Sequence, residues 1–356
     1  MLTVAGAGMG GLVAAARARQ LGAEVRLIEK GSRAGGSMLL SSCVTWRYRS
    51  LEEYRRECPG GDPLLQAAVI ERLDEAIGWL ESLGAAPIWE ETGNLRTVGK
   101  RFDPRALTDL LLGKVELATS LGQVDGPLVP ATGGFDARHA RGRGLLLRAS
   151  PWSDGAGLEH GRVRGAALTG GLEEFYGRAL PGPVPEERFV AASQLYGRHA
   201  VPVDDCGRVF FECEPDWSET DLVQALARLP GGRGWYVLDA RGLRERVRDR
   251  SVEELVAEAE EVRRADTVEG LGLGSIGSPK LSEPPFVAVR VHAAVTHTIG
   301  GLQVDPEARV LREDGSPVAD LYACGADAGG LSNGGYASGL AGALVFGLAA
   351  AQSACA

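Results

Sequence analysis

The sequence LTVAGAGMGG, residues 2–11, joins a short apolar run directly to a turn that contains four glycines. An alanine-rich segment typical of a helix follows from Leu12 to Leu21, and residues 23–28 have the pattern of a second strand that ends on Glu29. Strand, glycine turn, helix, strand and an acid about 20 residues after the glycines are the parts of a dinucleotide-binding unit. The sequence therefore predicts a Rossmann-like α/β domain that binds an adenine dinucleotide.

The glycines of this turn meet separate physical requirements. Gly6 allows the tight turn, Gly8 lets the backbone approach a pyrophosphate, and Gly10 or Gly11 lets the helix pack closely on the strand. The pyrophosphate would lie against free N–H groups at the positive end of the helix. Glu29 can accept from both hydroxyls of the adenosine ribose and would repel a 2′-phosphate, so an NADP-type ligand is disfavoured.

Composition narrows the possible classes of protein. The 356 residues suffice for two domains, and the contents of 44% hydrophobic and 24% charged residues are those of a folded soluble protein. A net charge of −9 argues against sequence-independent nucleic-acid binding, which requires a basic surface. The sequence has no apolar run of about 18 residues and no basic stretch before an apolar amino-terminal segment, so we expect neither a membrane span nor a secretory signal.

The six cysteines are scattered through the chain without CxxC spacing. This pattern is typical of reduced thiols, and it predicts a cytoplasmic protein without a disulfide framework or a metal site.

Two parts of the chain beyond residue 30 match a nucleotide domain. Apolar residues at helical spacing predict a buried amphipathic helix or a pair of helices over 62–83, and a further helix begins at Pro104. A strand at 128–135 runs into a glycine turn, with Pro130 indicating an edge position or the end of the strand. Near the carboxy terminus, a buried strand at 321–327 ends in glycines and precedes a helix of small residues from Gly339 to Ala351.

The segment between these parts has a different character. From Gly170 to about Pro285, prolines cluster and short alternating strands are predicted at 200–203 and 209–211. Helices are predicted at 219–228 and 252–265, and the glycine-rich residues 270–279 have the composition of a flexible return linker. The segment is predicted to be an inserted lobe.

Taken in order, these motifs resemble the FAD-dependent fumarate reductase and succinate dehydrogenase flavoprotein family. That family includes 3-ketosteroid dehydrogenases, aspartate oxidases and tricarballylate dehydrogenase. Besides the amino-terminal glycines, the resemblance rests on residues 131–135, 153–155, 298–301, 321–325 and 335–347. It covers both ends of the nucleotide domain, about half of the chain, with a shortened middle.

The resemblance implies an α/β fold class, a Rossmann-like doubly wound FAD-binding domain with an inserted α+β cap domain. The expected boundaries are 1–169 for the first part of the FAD-binding domain, 170–283 for the cap and 284–356 for the second part. FAD should be noncovalent, because residues 30–42 lack the histidine that attaches the flavin in some members.

The resemblance also places residues along the cofactor. Glu29 would hold the adenosine ribose, Asp154 would lie near the flavin, and Asp327 would contact the ribityl chain. The start of the last helix would face the flavin N1–C2 edge and stabilise the anionic reduced form. The implied cofactor residues are Gly6, Gly8, Met9, Gly10, Gly11, Glu29, Lys30, Gly36, Ser37, Met38, Thr132, Gly133, Gly134, Asp154, Gly325, Asp327, Gly339, Leu340 and Ala341.

Two departures from the family pattern bear on the substrate. Trp217 and Ser218 occupy the region of the family's catalytic arginine, and Tyr336 replaces its substrate-carboxylate arginine. We therefore do not expect a dicarboxylate substrate, and Tyr336 is similar to the ketosteroid dehydrogenase branch, in which tyrosines act on a carbonyl substrate.

The candidate catalytic residues are His297 and Tyr336. The family places a substrate-contacting histidine just before its Thr-x-Gly-Gly turn, where His297 lies. The alternatives are a structural histidine in that turn and a tyrosine packed on the flavin. Four aromatic residues have the character of an apolar pocket wall or of ordinary core. They are Trp46, Tyr48, Tyr176 and Tyr196.

The expected function is FAD-dependent transfer of hydride between flavin N5 and a C–C bond next to the carbonyl of a small-molecule substrate. The sequence does not identify the electron donor or acceptor. Two alternatives stay open: another flavin oxidase on the same scaffold, such as an amine or alcohol oxidase, and an FAD-binding protein without turnover.

Overall fold

A computed structural model of the chain describes residues 1–122, 124–212, 218–248 and 250–356. Two residues discussed above, Cys213 and Trp217, lie outside the described residues. Trp217 belongs to the region in which the family has its catalytic arginine.

The strands alternate with helices along much of the chain. In chain order they are β1 (Leu2–Ala5), β2 (Val25–Ile28), β3 (Val44–Tyr48), β4 (Pro87–Trp89), β5 (Thr97–Phe102), β6 (Leu117–Ala118), β7 (Leu128–Pro130), β8 (Leu146–Leu147), β9 (Phe175–Leu180), β10 (Val201–Val203), β11 (Arg233–Leu238), β12 (Arg246–Val247), β13 (Arg250–Ser251), β14 (Val262–Ala265), β15 (Phe286–Thr298), β16 (Arg309–Leu311) and β17 (Pro317–Tyr322).

The α-helices are α1 (Met9–Gln20), α2 (Leu51–Glu57), α3 (Pro63–Ser82), α4 (Pro104–Leu112), α5 (Asp136–Arg143), α6 (Ala156–Val163), α7 (Phe189–Ala192), α8 (Glu219–Leu226), α9 (Ala240–Arg244), α10 (Val252–Val256) and α11 (Gly339–Ala354). Short 3₁₀ helices include Gly36–Leu40 and Gly325–Asp327. Across the described ranges, no helix combines the length and the apolar character that crossing a bilayer requires.

The described chain forms two compact units. Unit 1 contains Met1–His139, Ala149–Tyr176 and His297–Ala356, and unit 2 contains Ala140–Arg148 and Gly177–Thr296. The assignment of an FAD-binding domain and a cap at the boundaries given above stays a prediction.

Unit 1 is built on a six-stranded sheet in the order β16-β17-β7-β1-β2-β6. β1 pairs in parallel with both β2 and β7, and β17 pairs in parallel with β7. The carboxyl ends of these parallel strands therefore meet at one edge of the sheet, and each predicted glycine turn or acid follows one of them. This is the Rossmann-like α/β arrangement that the amino-terminal motif predicts, and it gathers the candidate residues.

Helices α1 and α11 pack closely in unit 1. Nearly every residue of α1 is buried, and α11 consists mainly of alanine, glycine and leucine. A Cβ atom at Gly347 would lie 2.8 Å from the carbonyl oxygen of Gly10, so these helices approach at a distance that only glycine allows. The predicted small-residue helix is confirmed, with its start at Gly339 and its end three residues beyond Ala351.

Several other predicted elements of unit 1 are confirmed. Helix α3 begins after Asp62, whose carboxylate caps the amides of Leu64 and Leu65, and α4 begins with Pro104. Pro130 is the last residue of β7, which lies inside the sheet between β17 and β1. The strand-end alternative for this proline is therefore right, and the edge alternative is wrong.

Unit 2 is built on a second sheet, in which β15 pairs with β11 and β14 and β11 pairs with β10. The predicted helix over 252–265 is wrong in its second half, because Val262–Ala265 forms β14 and pairs antiparallel with the buried β15. The predicted strand at 209–211 is reduced to a single bridge between Val203 and Val209. Residues 270–279 are not a free linker, since Leu271, Leu273 and Ile276 are buried in the core of unit 2.

Candidate functional site

The glycine turn after β1 combines close packing with one open face. Gly6 has φ +108°, and a Cβ atom there would lie 2.1 Å from the carbonyl oxygen of Ala131. A Cβ atom at Gly11 would lie 1.8 Å from the carbonyl oxygen of Gly6. Gly8, by contrast, begins α1 as its N-cap, and a Cβ atom there would meet no atom within 4 Å. The helix start therefore has an open space in front of it, as a bound pyrophosphate requires.

Met9 and Gly10, two further residues of the predicted cofactor set, also pack closely. Met9 is buried. A Cβ atom at Gly10 would lie 3.0 Å from Cys324 Sγ and 3.1 Å from the amide of Gly325, so α1 starts directly against the end of β17.

Glu29 lies at the end of β2, beside the glycine turn. Its carboxylate accepts hydrogen bonds from the amides of Ala7 at 2.9 Å and Gly31 at 2.7 Å. The next residue, Lys30, forms a 2.7 Å ion pair with Asp154. The structure therefore places Asp154 with Lys30 beside Glu29, at the end of the site that we expect to hold adenosine. This position differs from the one near the flavin that the family resemblance implies for Asp154.

The segment that follows packs across the same turn. A Cβ atom at Gly36 would lie 3.2 Å from the Cα atom of Gly8, and Met38 is buried. Ser37 Oγ accepts a 2.9 Å hydrogen bond from the amide of Ser150.

The carboxylate of Asp327 joins the ends of β7 and β17. It accepts hydrogen bonds from the amide of Thr132 and from Thr132 Oγ1, the latter at 3.0 Å. Complete burial raises the pKa of Asp327 to about 6, although the hydrogen bonds of Thr132 act in the opposite direction. Gly157 also packs on this carboxylate, because a Cβ atom there would lie 2.6 Å from Oδ2. Asp327 therefore stabilises the loop junction itself, and its contact with a ribityl chain stays a prediction.

Two glycines complete the turn after β7. Gly133 and Gly134 have φ values of +87° and +64°, which favour glycine. The carbonyl of Gly134 accepts a 2.9 Å hydrogen bond from the amide of Gly155, which precedes α6.

Asp136, which is not among the predicted site residues, is buried at the start of α5. One of its carboxylate oxygens accepts from the amide of Thr298 at 2.8 Å and from Thr298 Oγ1 at 3.0 Å. Burial raises the pKa of Asp136 to about 7, and the nearby charge of Asp327 acts in the same direction. Asp136 thereby fixes the residue that follows His297. Its position directly after the glycine turn of residues 131–135 is the sequence signal that could have identified it.

The start of α11 brings the two candidate catalytic residues together. The amide of Gly339 donates a 3.3 Å hydrogen bond to the Tyr336 hydroxyl. A Cβ atom at Gly339 would lie 3.3 Å from Cε1 of the His297 ring. Ser338 caps the helix by accepting from the buried Ala341, and Leu340 between them is half-buried.

His297 lines a small cavity beside the start of α11. The wall of this cavity combines glycines, among them Gly339 and Gly342, with bulky apolar side chains, among them Leu331 and Phe346. The imidazole is half-buried, and desolvation lowers the pKa of His297 to about 4. The ring is therefore neutral at pH 7 and can exchange hydrogen bonds without carrying charge.

Aromatic rings surround Tyr336. Its ring stacks on that of Tyr176, with 3.6 Å between centroids and 11° between planes, and Trp46 meets it edge-on at 6.2 Å. Tyr48 packs on Trp46 and donates a 2.9 Å hydrogen bond to the backbone carbonyl of Tyr336. Three of the four predicted wall residues thus gather at one place. Tyr196 belongs to unit 2, where the guanidinium of Arg178 lies 4.5 Å from its ring centroid.

The residues of unit 1 fit an extended dinucleotide. The open face at Gly8 and the acid at Glu29 suit a pyrophosphate and a ribose. A family model described as an FAD binding domain matches residues 123–342, more than half of the chain. The chain belongs to this FAD-binding family. A second model, described as an NAD(P)-binding Rossmann-like domain, matches residues 4–42 of the flavoprotein. Because the chain belongs to the FAD-binding family, its cofactor is FAD.

Two curated relatives are similar in sequence to this flavoprotein. An NADH:fumarate oxidoreductase of Klebsiella pneumoniae is 23% identical over 447 aligned residues, which cover 99% of this chain and 47% of the relative. A KsdD-like steroid dehydrogenase of Mycobacterium tuberculosis is 40% identical over 72 residues, or 19% of this chain and 13% of the relative. The chain thus matches less than half the length of either protein.

Solved structures share the fold of the flavoprotein. The 3-ketosteroid Δ1-dehydrogenase of Sterolibacterium denitrificans superposes with a TM-score of 0.77 at 16% identity, covering 99% of both chains. This similarity extends over the whole chain, and at such low identity it concerns the fold alone.

Proposed function

We propose that this flavoprotein catalyses dehydrogenation or reduction of a C–C bond next to a carbonyl group. Bound FAD supplies the chemistry of hydride transfer at its N5 atom. The names of the relatives support this reaction, since fumarate reduction and steroid dehydrogenation both act on such a bond. The observation that carries the proposal is the position of His297 and Tyr336, which both lie against Gly339 at the start of α11.

We assign to the Tyr336 hydroxyl the transfer of the proton that accompanies the hydride. The amide of Gly339 donates to its hydroxyl oxygen, and a donated hydrogen bond stabilises the negative charge that develops there when the proton leaves. The stack on Tyr176 fixes the plane of the ring, so the hydroxyl has a defined direction.

His297 is assigned to hold the substrate. A neutral imidazole presents one hydrogen-bond donor and one acceptor, and the low pKa makes this ring a poor base. Hydrogen bonding to the carbonyl oxygen would polarise the substrate and acidify the C–H bond next to it.

The substrate is proposed to be a carbonyl compound with a flat apolar body. Trp46 and Tyr176, both half-buried, lie against Tyr336 and supply the large, rigid apolar surface that such a molecule prefers, and the buried Tyr48 packs behind Trp46. A ketosteroid has this shape, whereas a small dicarboxylate would need cationic partners in place of the aromatic rings.

The test is anaerobic mixing of the purified FAD-bound protein with a 3-ketosteroid, and of the chemically reduced protein with fumarate. Bleaching of the visible flavin absorbance by the ketosteroid is the expected result, and the same bleaching should be much slower in the Tyr336→Phe protein. Reoxidation by fumarate without any response to the steroid would overturn the substrate class. A flavin that responds to neither compound would overturn the activity.

A further inference from the structure

Trp152 differs in exposure from the other tryptophans in the described part of the chain. Its side chain is 47% exposed, whereas Trp235 is completely buried and Trp46, Trp79 and Trp89 are half-buried. The indole therefore offers a large apolar face to solvent, and stacking a flat ring on that face would remove apolar surface from water.

The indole lies directly against the end of β2. A Cβ atom at Gly31 would lie 2.8 Å from Trp152 Cδ1, 3.1 Å from Trp152 Nε1 and 2.9 Å from Glu29 Oε1. The ring and the Glu29 carboxylate therefore border the same glycine, and any side chain at residue 31 would displace the indole.

Three links hold the loop 150–154 to the loop 29–37. They are the ion pair of Lys30 with Asp154, the packing of Trp152 on Gly31, and the hydrogen bond from the Ser150 amide to Ser37. Within the loop 150–154, Ser153 Oγ donates to the carbonyl of Ser150 at 2.6 Å. The indole is thus held in a fixed position while half of its surface stays open.

We propose that the exposed face of Trp152 stacks on the adenine ring of FAD and that the loops 29–37 and 150–154 together form an adenosine clamp. Glu29 lies where an acid recognises the adenosine ribose, and a base attached to that ribose has the indole as its nearest aromatic surface in these two loops. Stacking needs no match of hydrogen bonds, so the indole supplies affinity that the backbone of a glycine-rich site lacks.

The proposal rests on the FAD cofactor and is independent of the proposed reaction. It implies that the adenosine half makes a separate contribution to affinity through Trp152. FMN lacks adenosine and would gain nothing from this residue. The clamp therefore favours FAD over FMN.

The test is equilibrium titration of the apoprotein with FAD, with ADP and with FMN, by isothermal calorimetry. Trp152→Ala should raise the dissociation constants of FAD and ADP by about tenfold or more, and Trp152→Phe should raise them less. Neither variant should change the affinity for FMN. Quenching of tryptophan fluorescence by ADP should be lost in both variants and kept in a Trp89→Phe control.

Unchanged dissociation constants for FAD and ADP in Trp152→Ala would overturn the proposal, as would an equal loss of FMN affinity. Trp152→Phe keeps an aromatic ring and guards against misfolding of the alanine variant, which thermal melts of the apoproteins would reveal. These titrations need no turnover. A protein that binds FAD through Trp152 and reacts with no carbonyl compound would therefore refute the proposed function alone.

Discussion

The Tyr336 hydroxyl accepts a 3.3 Å hydrogen bond from the amide of Gly339, and the same glycine lies against the ring of His297. A residue without a side chain thus sets the spacing between the two candidate catalytic groups. The cap of α11 by Ser338 fixes the position of that glycine. The groups proposed for proton transfer and for substrate binding therefore both take their positions from the start of α11.

Tyr336→Phe removes the hydroxyl and keeps the ring that stacks on Tyr176. We expect FAD to stay bound and kcat for the carbonyl substrate to fall by about 10²–10⁴-fold, the usual contribution of a positioned acid or base. Stopped-flow measurement of flavin reduction gives the rate. The matched control is Tyr176→Phe, which keeps the stack and should keep most of the rate. Equal rates for the wild type and Tyr336→Phe would assign the proton to another group.

The low pKa of His297 predicts an unusual pH profile. The ring is neutral above about pH 4, so acidifying the protein from pH 7 to pH 5.5 should leave its charge unchanged, whereas an ordinary histidine would become protonated. In the wild type, kcat/KM should therefore not fall near pH 6.5 through protonation of His297. The wild type and His297→Gln should show the same pH dependence in that range. A loss there in the wild type alone would show that the imidazole is better solvated than its surroundings indicate.

Gly8 and Gly11 offer a matched pair of substitutions in one turn. Gly8→Ala points a methyl group into open space, so the apoprotein should keep its stability while FAD affinity falls. Gly11→Ala places a methyl group 1.8 Å from the Gly6 carbonyl, which should cost about 1–3 kcal/mol of unfolding free energy or more. Thermal melts of the apoproteins and FAD titrations separate the two effects. Equal destabilisation by both substitutions would contradict the open face at Gly8.

The parts of this fold that the sequence predicts are those with local requirements. The turn at Gly6 needs a positive φ, Gly11 must leave space for the Gly6 carbonyl, and Asp62 caps α3. Each requirement is met by a residue type that is recognisable in the sequence, glycine in the first two cases and aspartate in the third. These signals predict the βαβ unit and its neighbours without knowledge of distant partners.

The errors concern pairings between distant segments. Val262–Ala265 has the charge pattern of a solvated helix, yet it becomes β14 because β15 offers it a buried partner. Leu271 and Leu273 are embedded in glycines that are typical of a linker, and only the core of unit 2 explains their burial. No local pattern contains this information.

The candidate site divides in the same way. His297 and Tyr336 each lie beside a family motif, and so does Asp136. The role of Asp136, however, depends on Thr298, which is 162 residues away, and the stack of Tyr176 on Tyr336 likewise joins remote segments.

Asp136→Asn tests the buried carboxyl beside Thr298. The folded-state pKa of about 7 lies above the ordinary value of 3.8, so between these pH values the folded protein binds more protons at this group than the unfolded chain. The contribution of Asp136 to stability is therefore complete below pH 3.8 and is lost as the pH rises through 7. Asparagine can still accept from the Thr298 amide but does not titrate, so the stability of Asp136→Asn relative to the wild type should increase between pH 4 and pH 7.

Thermal melts of both apoproteins across that range measure the difference. Comparison with the wild type cancels the opposite contribution of His297, whose lowered pKa makes the folded protein less stable as the pH falls toward 4. Asp327→Asn is the companion variant, because the pKa of Asp327 is also raised, to about 6. The stability of Asp327→Asn relative to the wild type should also increase with pH, but this increase should end near pH 6. Parallel pH profiles for the wild type and Asp136→Asn would mean that Asp136 is ionised in the folded protein throughout, and that Thr298 is held by a carboxylate whose charge the surrounding core tolerates.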